Sequence, residues 1–185
     1  MDKETNDLVE GLRRENRQAQ QHVLQQYGEM VFAQVARIVP RQEDAEEVWQ
    51  DVFVKVFRSI ATYNQLKASL PTWISRIAYH EALNFVRHTT PQVIYIDDRK
   101  ADIDYLYDRE TDQALQHPNE QTVQLLGQAL DHLSPEEQAL ITMFYYDNMS
   151  IKDIAFVTDS NPSTIGSQLS RTRRKLYRII KPFLE

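Results

Sequence analysis

Apolar residues recur every three or four positions along most of this chain, the spacing that places them on one face of an α-helix. The clearest example is the segment 42–60, QEDAEEVWQDVFVKVFRSI, and a second amphipathic helix is expected from about Ser69 to His88. Residues 5–40 predict a short helix followed by one or two more, ending at Pro40. Because helical periodicity dominates throughout, the sequence predicts an all-α fold.

The last third of the chain predicts three helices, of which the final two form a helix-turn-helix. The first should begin after Ser134 as N-cap, with Pro135 in its first turn and Glu137 completing a capping box. Ser150 should cap a short helix, IKDIAFV, and Asn161 should cap the last one. The residues of the short helix expected to be buried are Ile151, Ile154 and Ala155.

The last helix, which begins at Pro162, has an apolar face and a polar face. The apolar face holds Ile165, Leu169, Leu176 and Ile180. On the polar face, short side chains near the N-terminus suit base edges in a major groove, and arginines further along suit phosphates. The predicted base-reading residues are Ser163, Thr164, Ser167 and Gln168, and the predicted phosphate-binding residues are Arg171, Arg174 and Arg178.

The charge of this segment bears on the alternative that its polar face is only solvated surface. Residues 150–181 contain seven lysines and arginines against two aspartates, a net charge of +5, in a chain whose net charge is −6. A locally basic module within an acidic protein indicates nucleic-acid binding more strongly than a high overall pI does. The sequence therefore favours DNA binding over a solvated face.

An acid-rich stretch with a proline near each end divides the chain in the middle. Between positions 97 and 112 there are seven acids and three bases, and few apolar residues could anchor a core. We expect a mobile acidic linker over 90–118, which joins an N-terminal helical domain over 1–89 to a C-terminal one over 119–185. The predicted architecture is thus two small helical domains joined by an acidic linker, with the helix-turn-helix in the second.

Two faces of the N-terminal domain combine residue types in an unusual way. On the helix 42–60 the arc opposite the apolar one is acidic with a valine among the acids, which would suit protein binding; its residues include Glu47, Gln50, Asp51 and Val54. On the next helix, the side away from the core mixes bases with an aromatic ring, which could hold a nucleic-acid strand by charge and stacking. That side carries Thr72, Arg76, Tyr79, His80, Leu83 and Arg87. Either face could instead be ordinary solvated surface.

Composition excludes several kinds of site. The chain has no cysteine, which excludes disulfides, thiolate zinc sites and cysteine nucleophiles and suits the cytoplasm. Its four glycines are scattered, unlike those of a phosphate-binding loop, and its five histidines form no metal-ligand motif. The polar N-terminus is not a secretory signal, and no apolar run approaches membrane-spanning length. We therefore expect a protein that is not an enzyme, with no cofactor, no metal and no membrane insertion.

Three segments together resemble the bacterial sigma factors of RNA polymerase, specifically the small extracytoplasmic-function group. DAEEVWQDVFVKVF is similar to that family's DAEDLVQEVFLRLW, and LPTWISRIAYHEALNFVRH is similar to its FRAWLYRIARNLALDLLRR. LSPEEQALITMFYYDNMSIKDIAFV followed by PSTIGSQLSRTRRKL is similar to its C-terminal helix-turn-helix. The resemblance covers about residues 16–89 and 119–181, in the family's order.

The resemblance implies a sigma factor that binds core RNA polymerase, directs promoter-specific initiation and has an anti-sigma partner. The acidic face of helix 42–60 would dock on the clamp coiled coil of the polymerase. The segment from about Tyr63 to Arg87 would bind the −10 promoter element and help to melt it, with Arg76, Tyr79 and His80 among its DNA-binding residues. The last helix would enter the major groove of the −35 element, and the acidic linker would run through the polymerase cleft.

Five positions depart from the family's usual residues. His80 replaces an asparagine, Asn84 replaces an aspartate, Asp159 replaces a glycine in the helix-turn-helix turn, and Gly166 and Gln168 replace a lysine and an arginine. Aspartate tolerates a left-handed backbone conformation, although at a higher energetic cost than glycine, so the turn is still expected. These departures bear on which promoter sequence is read.

The alternative function is a helix-turn-helix transcriptional regulator that does not act as a polymerase subunit. Such a protein would also combine a DNA-binding module with an acidic helical domain. Binding to core polymerase distinguishes the two classes.

Overall fold

The computed structural model describes residues 3–89, 129–130 and 132–181, and within these ranges it contains helices and no strand. The all-α prediction is confirmed for this part of the chain. A 3₁₀ turn, Ile60–Thr62, follows the third helix, and a π-helical turn, Thr142–Tyr146, follows the fifth. The α-helices are α1 Lys3–Arg13, α2 Arg17–Ala36, α3 Gln42–Ser59, α4 Leu70–Thr89, α5 Pro135–Ile141, α6 Ile151–Val157 and α7 Pro162–Ile180.

Helices α1 to α4 form the N-terminal unit, in which α2, α3 and α4 contact one another and α1 lies on α2. The predicted apolar arc of α3 faces this core, where Val48, Val52 and Val56 are buried. Trp49 of the same helix donates its indole N–H to the backbone carbonyl of Gly28 at 2.9 Å. This hydrogen bond satisfies the one polar atom of a largely apolar ring, so Trp49 can tie α3 to α2 without an unpaired donor.

The C-terminal unit consists of the described residues 129–130 and 132–181. Its helices begin at the N-cap residues that the sequence predicts. Ser134 accepts a hydrogen bond from the backbone N–H of Glu137 at 3.2 Å and donates its own N–H to the Glu137 carboxylate at 2.9 Å, which completes the capping box. Ser150 accepts from the N–H of Asp153 at 3.1 Å, and Asn161 accepts from the N–H of Thr164 at 2.8 Å. All three predicted N-caps are confirmed.

The core of the C-terminal unit is made where α6 crosses α7. Ile154 and Ala155 are buried as predicted, and on α7 the predicted apolar residues Ile165, Leu169 and Leu176 are buried too. The prediction that Ile151 is buried is wrong, because its side chain is 38% exposed. It is the first residue of a seven-residue helix, and the buried residues of that helix are Ile154, Ala155 and Val157.

The N-terminal and C-terminal units lie against each other. Helix α4 packs on α6 and, less extensively, on α5. Consequently α4 has the core of the first unit on one side and the helices of the second unit on another. The predicted linker over 90–118, the predicted start of the C-terminal domain at 119 and the side chain of Ile180 lie outside the residues that the structure describes.

Across the described ranges, every helix is too short or too polar to cross a membrane.

Replacing either of two helical glycines by alanine should change the free energy of unfolding, and the two changes should have opposite signs. A Cβ atom on Gly11 would lie 2.7 Å from the Cβ atom of Ala19, where α1 meets α2, whereas a Cβ on Gly166 would meet nothing within 4 Å. Gly166→Ala should therefore raise the free energy of unfolding by about 1 kcal/mol through helix propensity. Gly11→Ala should lower it by up to about 2 kcal/mol, because overpacking outweighs the same gain. Chemical denaturation of both variants measures the signs, and a shift in the same direction for both would contradict this packing.

Candidate nucleic-acid and protein interfaces

The acidic face of α3 is open to solvent. Glu47, Gln50 and Asp51 are exposed, and Val54 between them is 45% exposed, although the opposite arc of the helix is buried. Within the described part of the chain, neither acid of this face is held in an ion pair. An exposed valine ringed by unpaired acids is a small apolar spot with a negative rim, a combination that suits a basic protein partner.

The basic and aromatic face of α4 is turned toward the C-terminal unit and partly covered by it, since Arg76, Tyr79 and His80 are partly buried and Arg87 is exposed. The Nη2 atom of Arg76 lies 2.8 Å from Oδ1 and 3.0 Å from Oδ2 of Asp159. The Nε2 atom of His80 lies 3.1 Å from Oδ2 of the same aspartate. Further along the helix, Arg87 pairs with Glu136 of α5 at 3.1 Å. The structure therefore brings the predicted residues to one face of α4 and turns that face toward α5 and α6.

Thr72 and Leu83 lie on the side of α4 that was predicted to face away from its core and to hold nucleic acid, but both side chains are buried. They share the face that carries the ion pairs to the C-terminal unit. Helical periodicity assigns a residue to a side of its helix, but it cannot say that a second unit covers that side.

Burial and then the negative charge of Glu136 raise the pKa of Tyr79 to about 12, while the guanidinium of Arg87 lowers it. The phenol is half-buried on the covered side of α4, between the core of its own unit and α5. A stacking platform for a nucleic-acid base would need this ring to be accessible. In the arrangement described, the ring is only partly accessible.

A second set of contacts joins α2 to the turn that precedes α6. Asp147 accepts a hydrogen bond from the side-chain amide of Gln34 at 3.0 Å and forms an ion pair with Arg37 at 3.3 Å. The guanidinium of Arg37 also lies over the ring of Tyr146, 5.0 Å from its centroid. The two units are thus joined at positions far apart along the chain.

The polar face of α7, in contrast, is turned to solvent. Ser163, Ser167, Arg171 and Arg178 are exposed, and Thr164, Gln168 and Arg174 are partly exposed. The Nε atom of Arg171 donates to the carbonyl of Ser167 at 3.4 Å, and that of Arg174 donates to the carbonyl of Ser170 at 3.3 Å. Among the described residues no carboxylate pairs with Arg171 or Arg174, so their charge is available to an anion.

Sequence reasoning assigned Asp159 to the turn alone and missed its second role. The turn is confirmed, because Asp159 has a φ of 54°, in the left-handed region. Its carboxylate also contacts Arg76 and His80, more than 75 positions earlier in the chain. The one signal in the sequence was a charged residue at a turn position where glycine would be less strained.

Two family models match the chain, one in each unit. The model described as Sigma-70 region 2 matches residues 23–91, and the model described as Sigma-70, region 4 matches residues 123–176. The RNA polymerase sigma-H factor of Pseudomonas aeruginosa is 21% identical over 96% of this chain and 94% of its own length. The ECF RNA polymerase sigma-E factor of Haemophilus influenzae is 25% identical over 96% of this chain and 95% of its own length.

Two solved structures share the fold. A sigma factor RpoE from Bartonella quintana, in complex with the anti-sigma factor NepR, matches with a TM-score of 0.61 at 19% identity, over 87% of this chain and 96% of its own. CnrH in complex with the cytosolic domain of CnrY matches with a TM-score of 0.64 at 17% identity, over 95% of this chain and 96% of its own.

The raised pKa of Tyr79 predicts a loss of stability in alkaline solution. Because the folded state holds the phenol proton more tightly than the unfolded state, whose pKa is about 10, this contribution is complete below pH 10 and is lost as the pH rises through about 12. The free energy of unfolding should fall across this window, and it should fall less steeply in Tyr79→Phe. Burial also raises the pKa of Tyr27 and Tyr63, so part of the slope should remain. Denaturation at a series of pH values measures the slopes, and equal slopes in the two proteins would count against this environment for Tyr79.

Proposed function

We propose that α3 binds core RNA polymerase and that α4 and α7 bind promoter DNA. The chain belongs to the sigma-70 family and, within it, to the extracytoplasmic-function group of sigma factors, which direct RNA polymerase to promoters. The observation that carries the proposal is that the charged faces of these three helices lie within the residues that the two family models match. The region 2 match contains the open acidic face of α3 and the basic face of α4, and the region 4 match contains all but the end of the basic helix α7.

Helix α3 is the proposed docking element for core RNA polymerase. Glu47, Gln50, Asp51 and Val54 are exposed on one face, and the buried arc of the same helix holds that face in place. Acids around a small apolar spot favour a basic partner, here the clamp coiled coil of the largest polymerase subunit. The protein would therefore bind polymerase without using either of its DNA-facing helices.

Helices α4 and α7 are the proposed DNA-binding elements. Arg76, Tyr79, His80 and Arg87 of α4 would bind the −10 element, with charge on the phosphates and the ring against an unstacked base. The N-terminal residues of α7 would meet base edges of the −35 element, and its arginines would meet phosphates. Sigma factors are non-catalytic initiation factors, so in the proposed scheme the polymerase performs all the chemistry.

An anti-sigma factor and a cytoplasmic location complete the proposal. Both solved structures that share the fold are complexes. One holds RpoE with the anti-sigma factor NepR, and the other holds CnrH with the cytosolic domain of CnrY. We extend to this chain the idea of a protein inhibitor that competes with polymerase. Because RNA polymerase works in the cytoplasm of bacteria, the chain would act there.

Run-off transcription with purified core polymerase tests the function as a whole. Transcripts that start at one position only when the protein is added would support the proposal. A protein that binds DNA specifically but neither binds core polymerase nor supports initiation would be a regulator of another class.

Charge reversal on α3 tests the docking face. Asp51→Lys should weaken binding to core polymerase by about tenfold or more, because a basic partner would meet a like charge. Glu46→Lys is the matched control, since it makes the same change at an exposed position of α3 about a quarter-turn off the face. Affinity is measured by titration with labelled protein after confirming equal thermal melts. Equal loss in the two variants would contradict a specific docking face.

Two substitutions on α7 separate phosphate binding from base reading. Arg171→Ala should weaken binding to a cognate −35 duplex and to a scrambled duplex about equally, and it should reduce the salt dependence by roughly one unit per lost phosphate contact. Gln168→Ala should instead narrow the difference between the two duplexes, by roughly 1–3 kcal/mol if the amide makes a two-bond base contact. Titrations across a salt series with both duplexes measure this. If Arg171→Ala loses affinity only for the cognate duplex, the two roles have been assigned the wrong way round.

A further inference from the structure

Asp159 stands at the centre of the contact that covers the proposed −10 face. Its carboxylate lies within 3.1 Å of side-chain nitrogens of both Arg76 and His80, two of the residues assigned to DNA. We propose that Asp159 is an intramolecular latch, which holds the free protein closed by placing a carboxylate where the −10 face would otherwise take a DNA phosphate. The consequence for DNA rests on the proposed function of α4, but the closed arrangement itself does not.

The pattern of charge across the contact supports a latch rather than chance proximity. At three separate places a carboxylate of the C-terminal unit meets an arginine of the N-terminal unit, and the pairs are Asp159 with Arg76, Glu136 with Arg87 and Asp147 with Arg37. The segment 150–181 has a net charge of +5, yet the side chains that it and the preceding residues present to α4 and α2 include these acids. The C-terminal unit therefore imitates, on this one side, the charge of a nucleic acid.

The backbone strain at Asp159 can be separated from its contact with α4, because another residue has the same strain. Its φ of 54° lies in the left-handed region, which glycine adopts without steric cost and other residues do not. Glu15 has almost the same φ, 55°, in an exposed turn of the N-terminal unit. These two positions offer the same strain in two settings, one at the contact between units and one away from it.

The ion pair between Asp159 and Arg76 can be broken by salt or by a binding partner. The side chains of Arg76 and Asp159 are 38% and 52% exposed, so solvent and ions screen their attraction. The guanidinium of Arg76 is also placed 5.3 Å from the ring centroid of Phe156, which adds a contact that salt screens less. We therefore expect the balance between closed and open arrangements to respond to salt and to substitutions of Asp159 and Arg76.

A distance measurement tests the latch directly. The chain has no cysteine, so cysteines introduced at the exposed positions Glu46 and Lys152, one in each unit, are the only sites for spin labels. At low salt this labelled protein should give one narrow distance distribution, and adding Asp159→Asn should give a broader one with longer distances. Asp153→Asn removes the same charge from a partly exposed position of α6, where the carboxylate accepts a hydrogen bond from the Ser150 hydroxyl at 2.6 Å, and it should leave the narrow distribution unchanged.

Charge exchange and glycine substitution provide two stricter comparisons. Arg76→Asp alone should broaden the distribution, and combining it with Asp159→Arg should restore the narrow one. Asp159→Gly and Glu15→Gly should both relieve backbone strain and leave the thermal melt equal or higher, but only Asp159→Gly should open the units. A narrow distribution in Asp159→Asn, Asp159→Gly and Arg76→Asp alike would overturn the latch.

The consequence for DNA is measured separately, on the full chain and with a labelled single-stranded oligonucleotide. Asp159→Asn should bind it about fivefold more tightly than Asp153→Asn does, because a larger fraction of the protein presents α4. If the distances change as expected but the two affinities are equal, the latch stands and the assignment of DNA to α4 fails. If neither changes, the latch fails whatever the function of α4.

Discussion

The arrangement of the described residues depends on α4 being packed on two sides at once. One side of the helix enters the N-terminal core through Leu70, Ile74 and Ala78. Another side carries Arg76 and His80 and meets α5 and α6. Arg76 and Arg87 on that side each pair with a carboxylate of the second unit, and because these side chains are at least one-third exposed, solvent screens both pairs.

The two sides of α4 differ in what holds them, and therefore in how readily they separate. The first side is apolar and continuous with the core of α2 and α3, so removing it would expose that core. The second side carries ion pairs between side chains that are at least one-third exposed, and the buried apolar residues of the two units also form one continuous cluster. Polar contacts between units of one chain resemble transient protein interfaces, and relative motion is their ordinary property.

What the sequence could predict is the part that depends on neighbours along the chain. The caps at Ser134, Ser150 and Asn161 use hydrogen bonds across three residues, and all three were predictable from residue type and position. The apolar faces of α3 and α7 follow from periodicity in the same way. The acidic face of α3 was also predicted to be exposed, and it is, because no described helix covers it.

What the sequence could not predict depends on contacts between distant segments. Leu83 is buried although periodicity places it on the side of α4 away from its own core, and that side faces the second unit. Ile151 is the opposite case, because it belongs to the apolar pattern of α6 and its side chain is nevertheless 38% exposed. The partners of Arg76 and Arg87 lie 83 and 49 positions away, a separation at which no local pattern records the pairing.

The two proposed DNA-binding surfaces differ in exposure, and this difference determines which of them can bind DNA first. The polar face of α7 is open in the same arrangement in which the −10 face of α4 is covered. The acidic face of α3 is open as well, so docking on polymerase does not require the units to separate first. Under the proposed division of labour, polymerase and the −35 duplex can therefore be engaged while the protein is closed. The −10 face becomes available only when Arg76 and Arg87 exchange their carboxylate partners for phosphates, which couples promoter melting to the opening of the chain.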